Sequence, residues 1–272
     1  MLARQRQALI LDHLSDAGGV RVSDLVRILG VSDMTVRRDL NALQERGLLD
    51  KVHGGATLRR DTSTSEPGFK AKSERELGEK DAIGRAAMGL AQPGSAVALT
   101  AGTTTHALAR HLVEVPDLTV VTNSIAIASV FFDADVGHTV LLIGGLRTVS
   151  DALVGPVAVH ALAGLHVDVV FMGVHGMDPD AGFTTPNLME AETNRAMVAS
   201  GGRLVVVADH TKWRTVGLSH IARLADADTL VTDSGLPRPA RDLLQDSVRE
   251  LVIAPVGVEP DDARTAGDST SS

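Results

Sequence analysis

Apolar positions recur at helical spacing near the start of the chain and gather into short unbroken runs after residue 95. Leu9, Ile10 and Leu14 put one apolar face on a helix over 4–14. In VRVSDLVRILGVSDMTVRRDL (Val20–Leu40), Leu25, Val26 and Leu29 fit a short helix capped by Ser23. Gly30 ends it, Val31 fills the turn, and Ser32 caps a second helix whose buried stripe is Val36, Leu40 and Leu43. After Gly47, the residues LLDKVHGGATL predict a small hairpin. Arg59–Ser73 is polar and aperiodic, which predicts a linker. Beyond it, short Val/Leu/Ile runs at 96–100, 118–122, 139–143, 167–174, 204–208, 230–232 and 251–254 predict strands. Helical patterns at 79–91, 104–113, 124–132 and 190–199 lie between them. This alternation predicts an α/β body with a parallel sheet covered on both faces. The expected division is a domain over 1–58, a linker over 59–73, a body over 74–255 and a disordered tail over 256–272.

Two short helices joined by a tight glycine turn, about 20–39, form a helix-turn-helix, and the upstream helix and hairpin make it a winged one. Its second helix carries Ser32, Met34, Thr35, Arg37 and Arg38 in the first turns, where a major-groove reader needs its contacts. The two arginines are expected to divide base and phosphate duty, and Met34 and Thr35 to meet thymine methyl groups. On the hairpin, Lys51, His53, Gly54 and Gly55 are candidates for the DNA backbone. A basic solvated helix face is the alternative for the arginine pair.

Charge supports the first reading. Residues 1–60 hold 10 Lys/Arg against 7 Asp/Glu, a net of +3; residues 61–272 hold 16 against 27, a net of −11. A basic head on an acidic body offers one face to phosphate. The chain has no cysteine, which excludes disulfides and thiolate metal sites and fits a reducing, cytoplasmic setting. The N-terminus lacks the pattern of a signal peptide. Ala152–Val174 is almost wholly apolar, but His160, His166 and Asp168 interrupt it. A charge at mid-bilayer costs about 2.5–3.5 kcal/mol, so a buried helix followed by a buried strand is expected there, and no membrane partner.

Ligands of open α/β sheets bind beyond the carboxyl ends of strands. Three such ends carry suggestive loops: Gly102, Thr103, Thr104 and Thr105; Asn123 and Ser124; Gly144 and Gly145. Each alone reads equally as a cap or a turn, while together they favour a shared anion pocket. Asp209 and Lys212, also after a strand, can flank a polar ligand or form a surface salt bridge. Asp178 can orient hydroxyl groups or make a turn. Glu190, with Glu192, Asn194 and Arg195, follows the loop Gly182–Thr185 and either reaches the pocket or begins a helix. There is no phosphate-binding GxxxxGK[ST] loop, no metal set and no sign of a cofactor.

The words VSDMTVRRDL, ERGLLDKVHGGA, AGTTTHALA, VVTNS, IGG and ADHTKW occur in this order along the chain. Through them the sequence resembles the DeoR family of bacterial transcriptional regulators. The resemblance implies a C-terminal sensor domain like the sugar-phosphate isomerase fold, with the matching loops, Asp209 and Lys212 lining an effector pocket. It implies a repressor of a carbohydrate operon, relieved by a phosphorylated sugar or related metabolite. Many relatives carry an acid where this chain has Thr100, which leaves open how ligand hydroxyls are held. The expected partners are a palindromic or repeated duplex operator, the phosphorylated effector, and further copies in a homodimer or homotetramer, since one recognition helix touches few bases. No catalytic residue is assigned. The alternative is an isomerase-like enzyme fused to a DNA-binding domain.

Overall fold

The computed structural model describes residues 3–17, 19–45, 49–52, 54–58, 63–64 and 68–257. They fall into two units, Met1–Thr62 and Ser63–Ser272.

The first unit runs α1 (Ala3–Ala17), β1 (Gly19–Arg21), α2 (Val22–Leu29), α3 (Asp33–Glu45), β2 (Leu49–Val52) and β3 (Gly55–Leu58). The strands form an antiparallel sheet in the order β1-β3-β2, the wing of the helix-turn-helix. Ile10 and Leu14 of α1, Leu25 of α2 and Val36, Leu40 and Leu43 of α3 are fully buried in one core, whereas Leu9, expected on the same face, is exposed, since it sits about a quarter-turn round α1 from the Ile10–Leu14 row. Gly30 takes the left-handed conformation (φ 64°) and its N–H donates to Val26 O. Ser32 caps α3, accepting from the Thr35 N–H at 3.2 Å. Ser23 is no cap: α2 begins one residue earlier, at Val22. The Val22 N–H donates across to Gly54 O of the wing at 2.9 Å, so tertiary pairing replaces the expected side-chain cap.

The second unit opens with α4 (Phe69–Ser73), α5 (Leu77–Met88), β4 (Ala96–Leu99), α6 (Thr103–Leu112), β5 (Thr119–Thr122), α7 (Ile125–Ala134) and β6 (Thr139–Leu142). Then come β7 (Leu146–Arg147), β8 (Leu153–Val154), α8 (Pro156–Leu162), β9 (Val169–Gly173), β10 (Gly176–Asp178), β11 (Gly182–Thr185) and α9 (Leu188–Ala199). It closes with β12 (Leu204–Val207), β13 (Ser219–Ala222), β14 (Thr229–Asp233), α10 (Arg238–Ser247) and β15 (Leu251–Ala254). Seven parallel strands make the main sheet in the order β15-β14-β12-β9-β4-β5-β6. Side chains alternate between its faces. Leu99, Phe171 and Val205 lie in register on one face and pack with α5, α6 and α7, whereas Ala98, Val170 and Leu204 pack on the other with α8, α9 and α10. Of the buried helix and buried strand expected in Ala152–Val174, only the strand β9 is buried; α8 buries Ala158 and Leu162 but exposes Pro156, Val157, His160 and Ala161, because it packs on the sheet by one face. Among the described residues no helix is long and apolar enough to cross a membrane.

Two expectations change. Phe69–Ser73, placed in the linker, is a helix of the second unit, too short to announce itself by periodicity. A small antiparallel sheet, β10-β11-β13, stands beside the main one. Backbones approach closely there: a Cβ on Gly176 would lie 1.9 Å from Thr215 O, and one on Gly217 2.5 Å from the carbonyl carbon of Thr185. The expected tail lies, from residue 258 on, outside the described residues.

Candidate nucleic-acid interface and ligand pocket

In the first unit the buried stripe of α3 turns its opposite face outward. Met34 is 80% exposed, Arg37 and Arg38 are exposed, and Thr35 is half-buried beside the cap hydroxyl of Ser32, at 2.9 Å. The arginines differ. Arg37 Nε donates to Asp33 Oδ1 at 2.5 Å, one turn back, and this carboxylate raises the guanidinium pKa. Arg38 makes no ion pair among the described residues. On the wing, Lys51 Nζ donates to Asn41 Oδ1 of α3 at 2.6 Å, which ties the hairpin to the helix that carries the arginines. Gly54 (φ 76°) is exposed with open space around it. Gly55 serves packing: a Cβ there would lie 2.3 Å from Val20 O of β1. His53 lies outside the described residues.

Sequence reasoning missed Asp39. It is 4% exposed and accepts from Arg6 Nε at 2.7 Å and Gln7 Nε2 at 3.3 Å, both on α1. This pair fixes the rotation of α3 about its axis and hence where Arg38 points. A partner 33 positions away leaves no local signal.

The second unit has a pocket where the strand order reverses. The chain moves from β4 out to β5 and β6, then returns to place β9 on the other side of β4. The loops leaving β4 and β9 therefore diverge and open a crevice. The crevice is lined by Ala101, Gly102, Thr103 and Thr104 after β4, by Gly173, Val174 and His175 after β9, and by Phe69, Lys72, Ser150, Thr185, Glu190, Asn194 and Lys212. Gly102 is the N-cap of α6 and offers no side-chain cap, so the first amide N–H groups of that helix point at the crevice. Lys72 and Lys212 share this lining, so the crevice offers cations and a helix start to an anion. Glu190, 8% exposed, accepts from Thr148 Oγ1 at 2.6 Å and Thr185 Oγ1 at 3.4 Å. Its carboxylate and the Asn194 amide are the lining groups suited to hydroxyl partners.

The three strand-end loops thus fare differently. Gly102, Thr103, Thr104, Glu190 and Lys212 line the pocket. Thr105 is fully buried and donates to Gly102 O. Asn123 clamps the loop from behind: its Oδ1 accepts from the Ala101 N–H at 2.8 Å and its Nδ2 donates to Leu153 O. Ser124 caps α7, accepting from the Ile127 N–H. Gly144 and Gly145 are exposed beyond the edge strand β6, and a Cβ on Gly145 would lie 2.5 Å from Val154 O. Asp178 makes a turn, accepting from the Asp180 and Ala181 N–H groups. Thr100 accepts from the Gly173 N–H at 3.0 Å, fastening the ends of β4 and β9 together below the crevice.

Behind Lys212 lies a charge cluster. Asp209 is fully buried, its Oδ1 accepts from the Thr211 N–H at 3.1 Å, and its Oδ2 stands 3.9 Å from Lys212 Nζ without a hydrogen bond. The pair is therefore no surface salt bridge on the acid's side. Lys80, 4% exposed, has its pKa lowered by burial against the opposing pull of Asp209. Glu76 nearby is pushed up by burial and by Glu79. His210 Nδ1 lies 2.8 Å from Asp233 Oδ1, which raises the imidazole pKa. Among the described residues no group of His, Asp or Glu is arranged to hold a metal ion.

Residues 6–62 match the DeoR-like helix-turn-helix domain, and residues 75–234 the DeoR C terminal sensor domain. The chain is 34% identical over 246 residues to the HTH-type transcriptional regulator GlpR of Haloferax volcanii, covering 90% of this chain and 95% of that one. It is 32% identical over 255 residues to the HTH-type transcriptional regulator GolR of Listeria innocua (93% and 100%). It is 30% identical over 250 residues to the HTH-type transcriptional repressor CsqR of Escherichia coli K12 (92% and 94%). Among solved structures, ribose 5-phosphate isomerase A of Neisseria gonorrhoeae aligns over 52% of this chain and 54% of its own, at 11% identity and a TM-score of 0.38. The translation initiation factor eIF-2B of Pyrococcus horikoshii aligns over 80% and 74%, at 13% identity and a TM-score of 0.42.

Proposed function

The chain belongs to the DeoR family of transcriptional regulators, and from that membership we propose that it is a repressor whose pocket binds a phosphorylated sugar or related metabolite. The observation that carries the ligand reading is the convergence of Lys72, Lys212 and the start of α6 on one crevice, whose lining also holds Glu190 and Asn194. A phosphoryl dianion suits the cations and the helix start, and polyol hydroxyls suit the carboxylate and the amide. In this reading α3 lies in the major groove with Arg38 as the main base reader, Arg37 shared between DNA and Asp33, and Met34 and Thr35 against thymine methyls. Ser32 serves as the cap of α3, while Lys51 and Gly54 meet the backbone. Two or four copies present paired recognition helices to a palindrome or repeat. Asn123, Ser124, Thr105 and Asp209 shape the pocket without lining it. No reaction is assigned to these groups.

Ligand shifts DNA affinity only through unequal binding to two conformations, and a coupling of about 1–3 kcal/mol lowers operator affinity roughly 5- to 150-fold. The test uses Trp213, the single tryptophan, which follows Lys212 and packs on the core of this unit. Its emission is expected to respond to saturating sugar phosphate, and Lys212→Ala to lose that response while holding duplex DNA as before. A Lys212→Ala protein that responds like the wild type refutes the pocket.

A further inference from the structure

One wall of the pocket comes from an unexpected place. Phe69 and Lys72 belong to α4, which follows directly on the stretch where the DNA-reading unit ends, at Thr62. A five-residue helix does not hold itself together in water. The surrounding unit holds it. The Phe69 N–H donates to Val149 O at 3.2 Å, and the Phe69 ring stands edge-on to His106 of α6 at 5.8 Å. Lys72 Nζ donates to Ser150 Oγ at 2.9 Å. The buried ammonium of Lys80 donates to Lys72 O at 2.7 Å and also to Arg75 O, closing the carbonyl end of the helix. These ties run to pocket parts. Thr148, two residues before Ser150, donates to Glu190, and α6 begins at the crevice.

We propose that α4 is a strap on the bound ligand: Lys72 exchanges the Ser150 hydroxyl for a phosphoryl oxygen, and Phe69 closes over the crevice. The chain running back to the DNA-reading unit is thereby fixed or released with occupancy. A phosphoryl dianion offers the Lys72 ammonium a charge-assisted bond, stronger than one to a hydroxyl. Tighter anchoring of α4 in the liganded state than in the resting one gives the two states the unequal affinity that coupling needs. The proposal rests on the pocket being an anion site.

Hydrogen exchange of the full-length protein, with and without saturating inorganic phosphate, tests it. Amides of 68–76 are expected to exchange more slowly with phosphate. Lys72→Gln should weaken phosphate binding about tenfold or more and abolish that protection. Suppose wild-type protein binds phosphate, Lys212→Ala loses it, yet 68–76 exchange unchanged and Lys72→Gln binds normally: the strap is then overturned and the pocket stands. If phosphate does not bind, or Lys212→Ala binds it as well as wild type, the pocket falls and the strap with it. Should Lys72→Gln not fold, the wild-type exchange at 68–76 decides alone.

Discussion

The proposed recognition helix and the proposed ligand pocket place their candidate groups in opposite ways. On α3 they are exposed side chains, Met34, Arg37 and Arg38, standing off a buried stripe. In the pocket they are strand-end backbone and half-hidden side chains, most of whose polar neighbours are already spent on one another. A DNA reader meets a partner that brings its own shape, so it needs only a rigid helix and a few projecting groups. A small-molecule pocket must supply the shape itself, and Thr100, Thr105, Asn123 and Ser124 are given over to that.

The contrast breaks most sharply at the cores. Leu40 is fully buried in the small core of the first unit, and Leu40→Ala is expected to cost about 2–5 kcal/mol. That is a large share of the roughly 5–15 kcal/mol of a whole domain. DNA retention should vanish while Trp213 emission stays native. Calorimetry showing one shared transition in the wild type would argue that the units do not unfold separately. Next in size, Arg38→Ala should weaken specific binding by about 1–3 kcal/mol and flatten sequence preference. Arg37→Ala should do less, because Asp33 already holds that guanidinium, and its mark should be a salt slope lower by about one unit. Titrations at several salt concentrations separate them. A larger loss for Arg37→Ala would remove the distinction between the two arginines.

The smallest effect is a pH dependence confined to the sensor unit. The hydrogen bond to Asp233 raises His210 above its ordinary 6.5. Burial pushes Asp233 up, but hydrogen bonds from His210 and the Gly235 N–H outweigh it and hold the carboxyl below its ordinary 3.8. The stability from His210 is complete below pH 6.5 and is lost as pH rises through its raised pKa. That from Asp233 is complete above pH 3.8 and is lost as pH falls through its lowered value. Thermal unfolding followed at Trp213 should therefore be highest between these limits. Asp233→Asn should flatten both flanks, and an unchanged profile in that variant would discount the pair.

The same contrast explains what could be read from the chain alone. Helical periodicity assigns faces locally, so the stripe of Val36, Leu40 and Leu43, the Ser32 cap and the outward arginines were all legible. Strand runs were legible too, because both faces of the parallel sheet are covered. What periodicity does not carry is strand order. The expectation of a pocket shared by three successive strand ends treated them as equivalent, but the crevice opens only between β4 and β9. Asn123 and Ser124 are consumed beside it, and Gly144 and Gly145 stand at the edge. Contacts over long sequence distances left no trace either: Arg6 with Asp39, Lys72 with Ser150, and Val22 with Gly54, which made the Ser23 cap unnecessary.

The glycines at 176 and 217 carry a last implication. At both, a neighbouring peptide occupies the volume a methyl group would need. Gly176 lies against Thr215 and the Thr184 hydroxyl, and Gly217 against the Thr185 carbonyl, so bulk at either would displace the strand that carries Thr185 to the crevice without touching the lining itself.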